Sequence, residues 1–498
     1  MNLNNTYKHG FPSEPEEKSL FEKQFEAYQK KRRAHWNHVA AKIDRTGRIG
    51  DTYHKLLNAY YGMLVPRDSR ILEVGCGLGN LLASLKPRVG VGIDFSQHMI
   101  RRAKQKYPQL TFIQGDAHEL PIKGSFDVII LSDLVNDLWD VQRVFQELLP
   151  LCHPGTRVLI NSYNNLWRVP LKILKLLGLG AFLLEQNWLA PQDVKNLLGL
   201  AGFDAFRCTS HILLPFEIPF LSALSNRYLV HFIPFRWFAF TNLFVARLAP
   251  EKCDRRSHRQ PSVSIVIPAR NEAGNILPII ERTPELGGET ELIFVEGHSA
   301  DETYTAVEQA MTNYPGKKIR LYRQTGRGKG DAVRLGFQKA DGEILMILDA
   351  DMTVPPEDLK RFYEALVNAR GDFINGVRLV YPLEDRSMMF FNILGNKFFS
   401  LAFTWLLQQP IKDTLCGTKI LWKRDYDVLA AQRNYFGDFD PFGDFDLLFG
   451  AAKLSLKIVE IPIRYRSRRY GATNIDRWRH GWMLLKMVLF AARRIKFV

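Results

Sequence analysis

Residues 71–80 read ILEVGCGLGN: an apolar run with the character of a strand, then Gly75, Gly77 and Gly79, then the helical stretch Leu81–Leu85. Glycine suits a turn whose backbone angles are closed to other residues, and a main chain that a ligand must approach closely. Nineteen positions after Gly75, Asp94 ends a second apolar run, in VGIDFS. At that spacing a carboxylate can accept hydrogen bonds from ribose hydroxyls in a nucleotide-binding sheet. Glu73 lies inside the strand end, where its charge would repel a pyrophosphate and suit a cationic amino-acid ligand. The pattern E-x-G-x-G-x-G therefore departs from the dinucleotide G-x-G-x-x-G.

Further β-rich runs follow outward from this loop, at Val89–Ile93, Thr111–Ile113, Phe126–Leu131 and Arg157–Asn161, with helical stretches between them. The alternation predicts a doubly wound, mainly parallel α/β sheet, with Phe203–His211 and Thr241–Leu248 as its last strands. An aromatic, apolar insert, Ile212–Phe240, separates those two. Its composition suits a substrate lid, a membrane-contacting segment or additional core. Pro250–Ser262 is polar, has a proline near each end and lacks periodicity, which marks a linker over residues 251–261. A second alternation begins at once: Ser264–Ile267, Glu291–Val295, Ile319–Tyr322, Ile344–Leu348 and Asp372–Asn375. A fresh first strand after a linker predicts a second sheet. The expected organisation is a charged N-terminal extension over 1–45, helical in part and carrying the run Lys30-Lys31-Arg32-Arg33, one domain over 46–250 and another over 262–498.

The 498 residues carry a formal charge of +15, so an anionic partner is expected: a phosphorylated substrate, an acidic membrane surface or nucleic acid. No nucleic-acid module is recognisable, and nucleic acid is set aside. The five cysteines show neither C-x-x-C nor zinc spacing, which predicts free thiols and a reducing cytoplasm. The N-terminus has no apolar signal segment. Met388–Leu407, the longest apolar stretch, is broken by Asn392, Asn396 and Lys397, so no spanning helix is expected.

After a third strand comes GDAHELP (Gly115–Pro121), and after a fourth SFDVIILSD (Ser125–Asp133). With the glycine loop and Asp94, this series resembles the class I S-adenosylmethionine-dependent methyltransferases that act on small molecules. The resemblance covers residues 45–165 well and 166–250 loosely. It implies a Rossmann-like fold with S-adenosylmethionine as cofactor. Glu73, Gly75, Gly77 and Gly79 would hold the methionine part, Asp94 the ribose, and Asp116 with Ala117 the adenine. Asp133, Asp137, His153 and Tyr163 are candidates by position for a base on the methyl acceptor, and none is singled out.

In the second half, ILMILDADMTVPP brings Asp349 and Asp351 out of a strongly apolar strand. Two carboxylates one residue apart are costly to desolvate together, and a divalent cation that also binds a diphosphate removes that cost. SVSIVIPARNE, VEGHSADET and RGKGDA precede this motif in order. Together they resemble the inverting family 2 glycosyltransferases, which have a GT-A nucleotide-diphospho-sugar fold, and within them the dolichyl-phosphate mannose synthase group. The matching signatures run from Ser262 to Asn474 and include DTLCGTKIL (Asp413–Leu421) and IVEIPIRYRSRRYGATN (Ile458–Asn474). The resemblance implies that Pro268, Arg270 and Glu272 cradle the nucleotide, with Glu296 on base or ribose and Lys329 also at the nucleotide-sugar. Asp349 and Asp351 would hold Mg²⁺ or Mn²⁺, and Arg468 would meet a phosphate. Asp446, with Asp444 second, is the candidate base should the acceptor be a hydroxyl.

Two departures stand out. The family's Gly-x-Ser-Lys is Gly471-Ala472-Thr473-Asn474 here, and its Asp-Asp is Glu296-Gly297. The processive synthases' Gln-x-x-Arg-Trp is absent, which points to single sugar transfer.

Between Ile461 and Val498, ten Arg or Lys face one acid, Asp476, interleaved with Trp478, Trp482, Leu485 and Phe490. Such a basic, aromatic segment suits an anionic bilayer, and interface helices are expected over about 388–407 and 475–496. The resulting expectation is a bifunctional enzyme at the inner face of a membrane. Its second half would move a sugar from a nucleotide-diphospho-sugar to a lipid phosphate or glycan, and its first half would methylate a small molecule, lipid or glycan. The competing reading has a soluble or surface-polysaccharide hydroxyl as acceptor. There the first half is a non-catalytic cofactor-binding or recruitment module.

Overall fold

The structure, a computed structural model, describes residues 20–42, 51–176, 184, 186–253, 260–378, 380, 390–432, 443–466, 470 and 477–497. Strands β1 (Arg70–Val74), β2 (Val89–Asp94), β3 (Thr111–Gln114), β4 (Phe126–Leu131), β5 (Cys152–Tyr163), β6 (Phe203–His211) and β7 (Thr241–Leu248) form one sheet. Their order is β3-β2-β1-β4-β5-β7-β6, and β7 runs antiparallel to both its neighbours. Strands β8 (Val263–Ala269), β9 (Thr290–Glu296), β10 (Lys318–Arg323), β11 (Ile344–Ile347), β12 (Phe373–Val377), β13 (Lys419–Trp422) and β14 (Ile458–Pro462) form the other. Here the order is β10-β9-β8-β11-β13-β12-β14, and β13 is antiparallel to β11 and β12.

The central strands are largely apolar because helices cover both faces. Every residue of β7 and β11 is buried, and each wholly buried Leu, Ile or Phe contributes roughly 1.5–3 kcal/mol. In both sheets the strand order reverses beside the first strand, between β1 and β4 and between β8 and β11. Ligands enter such sheets at the crevice where the carboxyl ends diverge. The glycine loop lies in the first crevice, and Asp349 leads out of the second.

The two sheets meet where β12 and β14 begin, against β5, β6 and the carboxyl end of β7. Asp372, just before β12, pairs with Arg157 of β5 at 2.8 Å and with Arg247 of β7 at 2.7 Å. Arg157 also donates to the Ser455 carbonyl (2.8 Å), Arg207 of β6 to the Ser455 hydroxyl (2.9 Å), and Lys457 pairs with Asp204 (2.6 Å). Burial pushes the Asp372 carboxyl up, but the two guanidiniums outweigh it and hold it below the usual range. Arg157, Arg247 and Asp372 are all buried, so loss of Asp372 would leave two guanidiniums without their counter-charge.

Two helices match the segments expected at a membrane interface, Phe390–Leu407 and Arg477–Ala491. Among the described residues no helix is long and apolar enough to cross a membrane. All five cysteines are free.

Candidate active sites

The first crevice is organised by backbone conformation. Gly75, Gly77 and Gly79 all take positive φ, at 76°, 50° and 72°. A Cβ on Gly79 would lie 2.5 Å from the Phe112 ring, so this turn accepts no larger residue. Asp94 ties the loop from the neighbouring strand: its carboxylate accepts from the Gly77 N–H (2.9 Å) and the Ser96 N–H (2.8 Å). Glu73 accepts from the Leu82 N–H at 3.1 Å, in the first turn of helix Asn80–Ser84. Burial pushes Glu73 up to about 8 and Asp94 up to about 6, with no basic side chain offsetting either. Asp116 accepts from the backbone and ring of His118 at 2.8 and 2.7 Å, and Ala117 is adjacent.

A helix that sequence periodicity does not reveal lies along this crevice. Leu20–Lys42, within the stretch expected to be a charged extension, sends Gln29 to Asp116 and accepts the Ser96 hydroxyl on Asn37 (2.6 Å). Its Trp36 donates to Asp137 at 2.9 Å, and Arg32 pairs with the same carboxylate. Asp137 is thereby engaged by the helix. His153 stands at the amino-terminal end of β5, hydrogen-bonded to Asp127 (3.2 Å). Of the four acceptor-side candidates, Asp133 and Tyr163 remain near the crevice, at the carboxyl ends of β4 and β5. Asp133 accepts from the Tyr53 hydroxyl and the Asn161 amide, each at 2.6 Å. Burial raises its carboxyl, against His54, Tyr53 and Asn161, which lower it.

The second crevice differs in kind. The Asp349 carboxylate pairs with Lys329 at 2.5 Å, the first residue of helix Lys329–Lys339. Burial pushes Asp349 up, but Lys329, Lys419 and Arg378 together hold it below the ordinary range. Lys329 thus lies against one of the two carboxylates expected to hold the metal. Asp351 accepts from the Thr353 N–H (3.1 Å) and hydroxyl (2.8 Å). The segment DTLCGTKIL closes this cleft. A Cβ on Gly417 would collide with both the Asp349 carboxylate and the Lys329 ammonium. Asp413 of the same segment takes a two-pronged ion pair from Arg378, at 2.7 and 2.8 Å, and Arg378 lies 5.2 Å from the Tyr465 ring centre. Arg378 and Tyr465 carry no spacing signal, and only the fold brings them here.

Around β8 and β9, Glu272 accepts from Asn275 (2.7 Å) and receives its own support from Thr303, whose hydroxyl takes the Glu272 N–H (2.9 Å). Glu296 caps the Ser299 N–H. Pro268 is the penultimate residue of β8, and Arg270 just beyond that strand is exposed. Asp446 lies 4.0 Å from Arg334, on the helix that begins with Lys329. Arg468 and the Asp444 side chain lie outside the described residues. Among the described residues no group of three or more His, Cys, Asp or Glu stands ready to hold a metal. A cation at Asp351 would need donor phosphate oxygens to complete its shell, which suits the oxygen-rich, few-carboxylate sites of Mg²⁺.

Residues 71–155 match the family model described as a methyltransferase domain, and residues 264–427 match that of glycosyl transferase family 2. The chain joins a methyltransferase domain to a family 2 glycosyltransferase domain. The second domain is 28% identical over 248 residues to a dolichol-phosphate mannosyltransferase of Pyrococcus furiosus, covering 47% of this chain and 67% of that protein. It is 35% identical over 213 residues to an undecaprenyl-phosphate 4-deoxy-4-formamido-L-arabinose transferase of Proteus mirabilis, covering 42% of this chain and 61% of that one. The chain thus spans about two thirds or less of the length of these curated relatives. A putative methyltransferase of Haloferax volcanii, solved in complex with its Trm112 activator, is 17% identical with a TM-score of 0.34, covering 43% of this chain and 97% of that one. That likeness is too distant to add to the sequence matches.

Proposed function

We propose that the second domain transfers one sugar from a nucleotide-diphospho-sugar to a polyprenyl phosphate at the inner face of a membrane. The first domain, in the same reading, transfers a methyl group from S-adenosylmethionine to a small molecule, lipid or glycan. The surroundings of Asp349 support the first statement: Lys329 pairs with it at the mouth of the second crevice, and the buried Lys419 and Arg378 add positive potential behind it. The relatives act on lipid phosphates by name, and a phosphate acceptor, already anionic, requires no base. A hydroxyl acceptor would call on Asp446 instead.

Pro268, Arg270, Glu272 and Glu296 would cradle nucleotide, and Lys329 and Arg468 would meet phosphate. Asp349 and Asp351 would hold Mg²⁺ or Mn²⁺ against the donor diphosphate, with Lys329 beside Asp349. When bound, it would neutralise charge building on the leaving diphosphate. In the first domain Glu73 with Gly75, Gly77 and Gly79 would hold the methionine part, Asp94 the ribose, and Asp116 with Ala117 the adenine. Asp133 is the acceptor-side group best placed to take a proton, since its carboxyl lies at the strand end beside the glycine loop.

Peripheral contact with anionic lipid through helices Phe390–Leu407 and Arg477–Ala491 belongs to the same reading. The decisive measurement is nucleotide-sugar turnover with Mn²⁺ and a polyprenyl phosphate, with product extracted into butanol. Asp351→Asn is expected to lower the rate by about 100-fold or more. Equal rates in parent and variant would remove the proposed metal site, and product remaining in water would remove the lipid acceptor.

A further inference from the structure

The insert between β6 and β7, residues 212–240, leaves large apolar side chains in solvent: Phe220 is 92% exposed, Ile233 68% and Trp237 60%. Helices Phe390–Leu407 and Arg477–Ala491 do the same with Leu401 (63%), Trp482 (60%) and Leu489 (56%). Exposed apolar surface on this scale marks a place of contact. The two groups are joined. Phe232 stacks on Trp405 with ring centres 5.9 Å apart, and Trp405 donates to the His231 carbonyl at 3.1 Å. At the other helix, Arg227 donates to the Phe497 carbonyl at 2.9 Å.

Charge decides what fits this face. Residues 212–240, 390–407 and 477–497 contain one acid, Glu217, against nine Arg and Lys. Arg227 and Arg236 are exposed within the insert, and Lys486 and Arg493 alternate with Trp482 and Leu489 along one side of the last helix. A second copy would bring like charges together. Anionic headgroups above an apolar layer complement both features, with aromatic rings at the boundary and cations outside it.

We propose that the insert of the methyltransferase domain and the two helices of the glycosyltransferase domain make one face that docks on an anionic lipid bilayer. This rests on the bilayer contact assigned above to the two helices and extends it to the other domain. The methyl acceptor, on this account, is a lipid or a lipid-linked molecule reached from the membrane surface.

The full chain is tested by flotation with vesicles of phosphatidylcholine, alone or mixed with phosphatidylglycerol. The parent is expected to float only with the anionic vesicles. Phe220→Glu with Trp237→Glu should lower binding about tenfold or more, from lost apolar insertion alone. Trp482→Glu with Leu489→Glu should do likewise. Unchanged calorimetric affinity for S-adenosylmethionine in the insert variant would show that the domain still folds. As a second readout, brominated phosphatidylcholine should quench tryptophan fluorescence of the parent more than that of Trp237→Phe.

An insert variant that floats as the parent does, beside a helix variant that does not, would overturn this inference and leave the helix contact standing. Full flotation by both variants would overturn both. A parent that forms dimers in the absence of lipid, dissociated by the insert substitutions, would assign the face to a second copy instead.

Discussion

The two crevices occupy equivalent places in two similar sheets, and their carboxylates are in opposite electrostatic condition. Glu73 and Asp94 are buried, supported by backbone N–H groups, and raised to about 8 and about 6. Asp349 and Asp413 are also buried or nearly so, yet Lys329, Lys419 and Arg378 hold them below the usual range. In the first, no basic side chain among the described residues acts on the two carboxylates, and the sulfonium and ammonium of a bound cofactor would bring positive charge to them. In the second, side-chain cations already pair with the carboxylates.

The largest expected effect tests this contrast through stability. Asp413→Asn should cost about 3–5 kcal/mol, because Arg378 would be left buried with one prong unpaired. Thermal unfolding should show it as a midpoint lowered by several degrees. Glu73→Gln, at an equally buried site, should leave the unliganded midpoint unchanged or higher. Equal losses in both variants would erase the distinction.

Gly417→Ala comes next. The added methyl must push apart Asp349 and Lys329, so sugar transfer should fall about 100-fold, from misplacement of the cleft. Calorimetric affinity of the first domain for S-adenosylmethionine should not move.

The third effect is a pH dependence. Folded Glu73 keeps its proton up to about 8, above its ordinary value of 4.5, so unliganded stability is greatest below 4.5 and is lost as pH rises toward 8. A cationic cofactor needs the ionised form. Its affinity should therefore climb with pH and level off above about 8, by up to roughly tenfold per pH unit, with release of a proton. Calorimetry in buffers of different ionisation heat measures both, and Glu73→Gln should flatten the profile. The smallest effect belongs to the N-terminal helix. Gln29→Ala with Asn37→Ala removes two hydrogen bonds of about 1 kcal/mol each and should weaken cofactor binding several-fold.

Legibility in the sequence followed how local each feature is. The strands of the first sheet were readable because they are apolar, regularly spaced and punctuated by glycine or acid, and Phe203–His211 and Thr241–Leu248 coincide with β6 and β7. β13 and β14 escaped as strands. Each is four or five residues, and their runs KILW and IVEIP lie inside motifs read for chemistry. Glu73, Asp94, Asp349 and Asp351 were visible because each sits at the end of an apolar run, whereas Asp413 does not. The pairings were not legible: Lys329 stands out in sequence only as a nucleotide-sugar contact, and it and Arg378 lie 20 and 35 residues from Asp349 and Asp413, distances that only the fold closes. Helix Leu20–Lys42 was legible as the helical part of a charged extension, but its weak patterning did not show that Gln29, Arg32, Trp36 and Asn37 turn toward the crevice.

The Asp372 junction has a kinetic corollary. Arg157 and Arg247 hold Asp372 across the junction, so the two domains cannot separate without breaking a buried ion-pair cluster. A molecule that served both domains would, on release from one, meet the other nearby. If both substrates are tethered to lipid, the search between them is two-dimensional, and fusing the domains serves to raise local encounter frequency along a surface.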